Sequence, residues 1–322
     1  MRWPRCSALP ANATGALNIA IDGLLPDGAK AVTTAASHNS VLRPLNKARD
    51  ERGCALEVVP VDARGALDYE ALERAVRGAS LVAVTHASNL TGDVYDAARI
   101  AAVAHAAGAA VVLDAAQTAG AFPLSMADLG VDVVCFTGHK GLLGPQGTGG
   151  LCVAEGVDIA PLLEGGSGTH SFDERHPRFM PEALEAGTLN AHGLAGLAAG
   201  VGYVAQRGVT DIAAHEAALA SRLEGALADV SAVKLYGGGG DAGRAGIVAL
   251  NVGDLDSAVV ADYLATEWGI CTRAGAHCAP LMHEALGTAA QGAVRVSFSP
   301  FTTVEEIDVC VEALVAAAHD IA

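Results

Sequence analysis

The chain of 322 residues holds four lysines, Lys30, Lys47, Lys140 and Lys234, so the search for an amine able to condense with a carbonyl is short. Lys30 precedes a strand-like run, Lys47 lies in a polar helical run and Lys234 sits in a strand edge, all settings of a solvated charge. Lys140 differs. It follows an apolar run through Thr137-Gly138-His139 and leads into the glycine-rich residues 141–150. That is the C-terminal edge of a strand, where α/β sheets bind ligands. A Walker loop would place its lysine after the glycines and before Ser or Thr, and Rossmann spacing is absent. An imine to a pyridoxal ring suits this position, and such a ring needs an acid at its nitrogen to act as an electron sink. Asp114 ends the apolar run 110–113, with Gln117 one helical turn on. Taken alone, a strand-end Asp is more often a helix cap.

Seven cysteines at irregular spacing, with no Cys-x-x-Cys pair, make neither a disulfide framework nor a structural zinc site. Most read as small buried hydrophobes. Cys278 stands apart in Arg273-Ala274-Gly275-Ala276-His277-Cys278-Ala279-Pro280, a polar, glycine-bearing loop closed by proline. Nearby cations favour a thiolate, and His277 and Arg273 are its neighbours in sequence. A metal role with His277 and His283 lacks the remaining ligand spacing. Arg295 puts a charge inside the apolar run 294–298, and such a charge requires a partner, either in a structural salt bridge or in an anionic ligand.

Between about residues 28 and 155 short apolar runs alternate with alanine-rich helical runs, the form of βαβ units in a mainly parallel sheet with helices on both faces. Strands are predicted at 31–34, 56–59, 81–85, 110–113, 131–136 and 150–153, each apolar throughout as a strand covered on both faces should be. Helices are predicted at 68–76 and 97–107, the second after a turn at Gly92-Asp93. Residues 165–190 lose periodicity and read as a long functional or interface loop, and a helix follows at 194–207. After Gly208 the rhythm changes to a helix at 210–228, strands at 234–236 and 246–252, a helix at 256–268 and a strand at 294–298. A final helix opens on the capping box Thr303-Val304-Glu305-Glu306. The chain is therefore read as a large α/β domain, 1–207, and a smaller α+β domain, 208–322.

Composition narrows the function class. Hydrophobic residues make up 51% but aromatics only 4%, so much of the apolar character is alanine, and Arg99, His105 and Asp114 interrupt the longest apolar stretch before it reaches the roughly 18 residues of a span. A net charge of −16 repels phosphate backbones and anionic lipid, which disfavours nucleic acid and membrane as partners. The first residues lack the apolar centre of a signal peptide, so a cytoplasmic enzyme is expected.

Five motifs in register carry a resemblance: His38-Asn39-Ser40-Val41, Thr85-His86-Ala87-Ser88-Asn89, Asp114-Ala115-Ala116-Gln117, Thr137-Gly138-His139-Lys140 and Glu185-Ala186-Gly187-Thr188. In this order they resemble the motifs of class V aminotransferases, and with the Cys278 loop they resemble the Suf-type branch of the cysteine desulfurases. The resemblance implies a fold-type-I homodimer dependent on pyridoxal 5'-phosphate, which turns L-cysteine into L-alanine and delivers sulfur to an acceptor or scaffold protein, as in iron–sulfur assembly. It implies Lys140 as the Schiff-base lysine, Asp114 on the pyridine nitrogen, Gln117 near the ring hydroxyl and His38 on the ring face. Asn89 would face the ring hydroxyl and the substrate. Thr14, Thr137 and His139 would bind phosphate, joined by Thr188 from the partner subunit; Thr14 is expected just before a helical run at 16–24. Cys278 would accept sulfur as a persulfide, and Arg295, assisted by Arg273, would hold the substrate carboxylate. Without these motifs His38, His86, Thr137 and Thr188 would read as core, turn or capping residues.

Two departures qualify the resemblance. Relatives of this kind carry about sixty more residues ahead of the position of Asn12, and residues 1–10 do not read as the strand leading into Thr14. Gly15 also replaces an acidic residue. A truncated start is the expectation, with an incomplete small domain and a more open site. The competing functions are another class V enzyme, such as a selenocysteine lyase or aminotransferase in which Cys278 is incidental, and an inactive relative acting as a binding partner.

Overall fold

The computed structural model describes residues 7–321. Twelve strands are described: β1 (Ser7–Ala8), β2 (Lys30–Thr34), β3 (Ala55–Val59), β4 (Ala79–Thr85), β5 (Asp93–Val94), β6 (Ala110–Asp114), β7 (Val133–Thr137), β8 (Gly149–Val153), β9 (Val233–Tyr236), β10 (Gly243–Arg244), β11 (Ile247–Val252) and β12 (Val294–Ser297). The helices are α1 (Ala13–Leu24), α2 (Asn39–Arg52), α3 (Tyr69–Ala75), α4 (Ala97–Ala106), α5 (Met126–Leu129), α6 (Ala191–Arg207), α7 (Val209–Leu227), α8 (Ser257–Trp268), α9 (Pro280–Leu286) and α10 (Val304–Asp320).

Seven strands form the main sheet in the order β1-β8-β7-β6-β4-β2-β3. The run from β3 to β7 is parallel, β8 is antiparallel to β7, and β1 is antiparallel to β8. Alternation along each strand feeds two cores. Val111 and Leu113 of β6 join the cluster holding Ile100 and Ala104 of α4, whereas Val112 joins Leu17 and Ile21 of α1 on the other face. Full burial of each such side chain stabilises the fold by roughly 1.5–3 kcal/mol, which is why these strands read as continuous apolar runs. A second, antiparallel sheet, β12-β11-β9, packs Val248 and Leu250 against Leu223 of α7, Leu264 of α8 and Leu314 of α10. The capping box of α10 is formed as predicted, with reciprocal bonds between Thr303 and Glu306.

Several expectations change. Ser7 and Ala8 do form a strand, pairing with Cys152 and Leu151; two residues held by backbone bonds leave no pattern to read. Residues 1–6 lie outside the described residues. Thr14 is inside the first turn of α1 rather than before it, because Asn12 is the cap and accepts from Gly15 N–H. β3 is an edge strand with Ala55, Glu57 and Val58 exposed, so it is not covered on both faces. Asp93 is not a turn residue: β5 pairs with β10, reached from far along the chain. α9 was not anticipated; it opens on Pro280, whose fixed φ suits a first helical turn. The segment 165–190 is irregular as expected, apart from a 3-10 turn at Glu182–Leu184.

Candidate active site

Three neighbouring strands end together. Thr85 of β4 lies in register with Asp114 of β6, which pairs in turn with β7, the strand that ends at Thr137. Side chains at these C-terminal ends open into a cleft also lined by Thr14, His38, Asn89 and Lys140. The turn after β7 positions the lysine: Gly138 N–H donates to Thr148 C=O and Leu143 N–H to Lys140 C=O, each at 2.8 Å. A Cβ on Gly138 would run into the Thr148 side chain, so glycine leaves that side chain its place against the turn. A wider and more open hollow lies under residues 170–179, but the groups with chemistry converge on the cleft.

Electrostatics single out the same residues. The Lys140 side chain reaches solvent along the cleft, yet the protein around its ammonium lowers its pKa from the ordinary lysine value. Attraction to Asp114 opposes this, and repulsion from Arg295 and Arg273 adds to it. The amine is therefore easier to present unprotonated. Asp114 is 4% exposed and its pKa is raised by burial, against the Ala116 N–H bond at 2.9 Å and the charge of Lys140. Among the described residues it has no cation at salt-bridge distance, so a protonated ring nitrogen would complete it. His38 is pushed down to about 4 by burial and by Lys140, Arg273, Arg43 and Arg295, and is neutral at ordinary pH.

The cysteine loop is tied to this cleft from several sides. Asn39 N–H donates to Cys278 C=O at 2.8 Å, which sets Cys278 beside the start of α2 and hence His38. The Asn89 amide donates to His277 C=O at 2.6 Å. His277 and Cys278 both have positive φ, 51° and 57°, a conformation costing a non-glycine residue roughly 1–2 kcal/mol; these two bonds hold it. Arg273 and Arg295 are brought together by a β-bridge. Arg295 Nη1 donates to Asn89 C=O at 2.9 Å, while its Nε is buried with no partner. No carboxylate pairs with either guanidinium among the described residues, so a structural salt bridge does not account for Arg295. Two like charges aimed at one region suit an anion.

Of the residues singled out in sequence, Thr14, His38, Asn89, Asp114, Gln117, Thr137, His139 and Lys140 line one cleft. Thr137 Oγ1 and His139 Nδ1 are 3.0 Å apart. Arg273, Arg295 and Cys278 flank the cleft through the contacts above, and Thr188 is exposed and not among the lining residues. His277 does not supply a positive charge to Cys278. It is 3% exposed, held near pKa 4 chiefly by burial, and bonded through Nε2 to Arg273 C=O. It stacks on His283, ring centres 5.8 Å apart. His86 is a core histidine on Thr118. Sequence reasoning missed Ser40, Asn12 and Thr85 as lining residues; Ser40 and Thr85 stood inside quoted motifs but carried no distinguishing chemistry.

The chain matches the model of the aminotransferase class-V family over residues 11–310. It is 35% identical over 310 residues to a probable cysteine desulfurase of Methanothermobacter thermautotrophicus, covering 94% of this chain and 77% of that relative. The apo structure of a cysteine desulfurase from Thermococcus onnurineus NA1 superposes with a TM-score of 0.92 at 34% identity, over 98% of this chain and 80% of that one. The crystal structure of the cysteine desulfurase CsdA from Escherichia coli, in an S-sulfonic acid form, gives 0.89 at 28% identity, over 97% and 79%. With that fold and these residues at one sheet edge, the chain belongs to the class-V aminotransferase family, among the cysteine desulfurases.

Proposed function

We propose that this chain converts L-cysteine to L-alanine with pyridoxal 5'-phosphate carried by Lys140, and that Cys278 receives the sulfur as a persulfide. The observation that carries it is a single cleft into which Lys140 opens beside the buried Asp114, which has no cation at salt-bridge distance, with Arg273 and Arg295 paired at its flank and no carboxylate on either among the described residues. The residues fit the cofactor. Asp114 would hold a protonated pyridine nitrogen, Gln117 and Asn89 the ring hydroxyl, and His38 the ring face. Thr14, Thr137 and His139 would hold the phosphate, with Thr188 of a second copy. When bound, the cofactor supplies an electron sink for the substrate's α-carbon.

The rest is the work of the chain. Arg295, assisted by Arg273, binds the substrate carboxylate and orients it. Lys140 Nζ, presented as a free amine, takes the proton from the α-carbon. Cys278 Sγ, as thiolate, forms an S–S bond to the substrate sulfur as the carbon–sulfur bond breaks; the carbon takes up a proton and alanine leaves. The persulfide then passes to a sulfur acceptor or scaffold protein. A homodimer in the reducing cytoplasm, with residues 1–207 and 208–322 as its two domains, is part of this proposal.

Purified protein reconstituted with pyridoxal phosphate is expected to be yellow and to release sulfide from cysteine when a reductant is present. Lys140→Ala should abolish the colour. Cys278→Ala should keep the colour and lose sulfide release, and unchanged release would refute the sulfur assignment. A colourless parent protein would refute the cofactor.

A further inference from the structure

His38 is the N-cap of α2, and the residue two positions on meets the same ring nitrogen twice. Ser40 N–H donates to His38 Nδ1 at 2.9 Å, and Ser40 Oγ lies 3.0 Å from that atom. A peptide N–H can only donate, so Nδ1 is an acceptor and the neutral ring carries its proton on Nε2. Nε2 has no hydrogen bond to protein among the described residues, on a side chain that lines the cleft with Lys140. Ser40 Oγ is also 2.8 Å from Thr14 Oγ1, in the first turn of α1. The hydroxyl thus bridges His38 and a second cleft residue.

We propose that Ser40 is a positioning residue for His38, fixing its ring angle and its Nε2–H tautomer and tying that ring to Thr14. His38 then meets a bound molecule as a hydrogen-bond donor from Nε2 rather than as an acceptor. The surroundings support this. The charged groups acting on the ring are Lys140 after β7, Arg43 of α2, Arg273 of the cysteine loop and Arg295 of β12, all cationic. Burial first, and these cations after it, oppose a second ring proton, so the position of the single proton decides what the ring can do. Helix capping alone does not explain the hydroxyl, since the peptide N–H already makes the capping bond to His38.

The assignment of His38 to the reaction rests on the desulfurase proposal, but its tautomer does not. Long-range proton–nitrogen correlation spectra of the cofactor-free protein, labelled with 15N-histidine at pH 7.5, should show His38 as the Nε2–H form; an Nδ1–H form overturns the proposal. Ser40→Ala retains the peptide N–H and removes the bridge. In the reconstituted enzyme it should lower kcat for sulfide release about three- to ten-fold, with KM for cysteine little changed and a displaced His38 Nδ1 resonance. Ser40→Thr should restore both. Unaltered kcat and resonances in Ser40→Ala overturn the role of the hydroxyl. Loss of colour or of sulfide release in the unmodified protein would instead refute the desulfurase proposal and leave the tautomer standing.

Discussion

Arg295 shows how one side chain gains meaning from what it lacks. Its Nη1 is used on Asn89 C=O, its Nε is buried without a partner, and burial followed by repulsion from Arg273 lowers its pKa. An anion that supplies the missing acceptor removes both costs. Arg295→Gln is therefore expected to raise KM for cysteine about ten- to a hundred-fold while leaving the bound-cofactor colour intact, measured by steady-state sulfide release. Asn89 ties the cleft to the cysteine loop. Its amide holds His277 C=O beside two consecutive left-handed residues. Asn89→Ala should slow persulfide formation in a single turnover about five- to fifty-fold, with Cys278 alkylation by iodoacetamide altered in the cofactor-free protein.

At the scale of elements, the glycine-rich link between β9 and β11 carries more than its composition suggests. Gly243 and Arg244 pair with β5, Gly238 N–H donates to the buried Asp93 at 2.9 Å, and Arg64 donates to Gly238 C=O. A Cβ on Gly239 would collide with Ala66 N, so only glycine lets the two backbones meet. The far end of this link rests on α7, where Glu216 is 5% exposed and a Cβ on Gly246 would strike its side chain. Burial raises the Glu216 pKa from the ordinary carboxylate value to about 7, against a bond from Gly246 N–H. A raised carboxyl pKa means that its stabilising share is complete below the unfolded value near 4.5 and is lost as pH rises through about 7. Glu216→Gln should accordingly flatten the fall in thermal unfolding midpoint between pH 5 and pH 8. A parent protein whose midpoint shows no such fall would contradict the buried neutral carboxyl. The helical period of α7 was legible, but nothing in it marked Glu216 as buried.

At the scale of the whole molecule, the proposed dimer bears on the irregular segment that leads to Thr188. Leu163 and Phe172 of this segment are exposed, Phe172 fully, and Thr188 is exposed and is not among the residues lining the cleft. Covering such apolar side chains in a second copy would remove that surface from water and bring Thr188 to a neighbour's phosphate position. Sedimentation equilibrium should give a dimer, and Phe172→Asp should shift the protein toward monomer and weaken pyridoxal phosphate binding together. A monomeric parent protein would overturn the dimer. Among the described residues no helix is long and apolar enough to cross a membrane.

Much of the site was legible because it is local. Asp114 ends a buried strand and Lys140 follows one in the turn after Thr137, and an apolar run followed by polar residues and a turn states both positions in a few consecutive letters; the capping box of α10 is written the same way. The parallel sheet followed from alternation of strands and helices, a short-period signal set by burial on two faces. Other features have no local signature. Asn89 and Arg295 meet across 206 positions, Asn89 and His277 across 188, and Thr14 and Ser40 across 26. A hydroxyl or amide looks the same in sequence whether it faces water or a histidine. The sequence alone determined which residues could carry the chemistry. The tertiary structure decided what holds the Cys278 turn, that Arg295 keeps a donor free and that the Ser40 hydroxyl reaches Thr14, because these hydrogen bonds are settled by where distant segments pack.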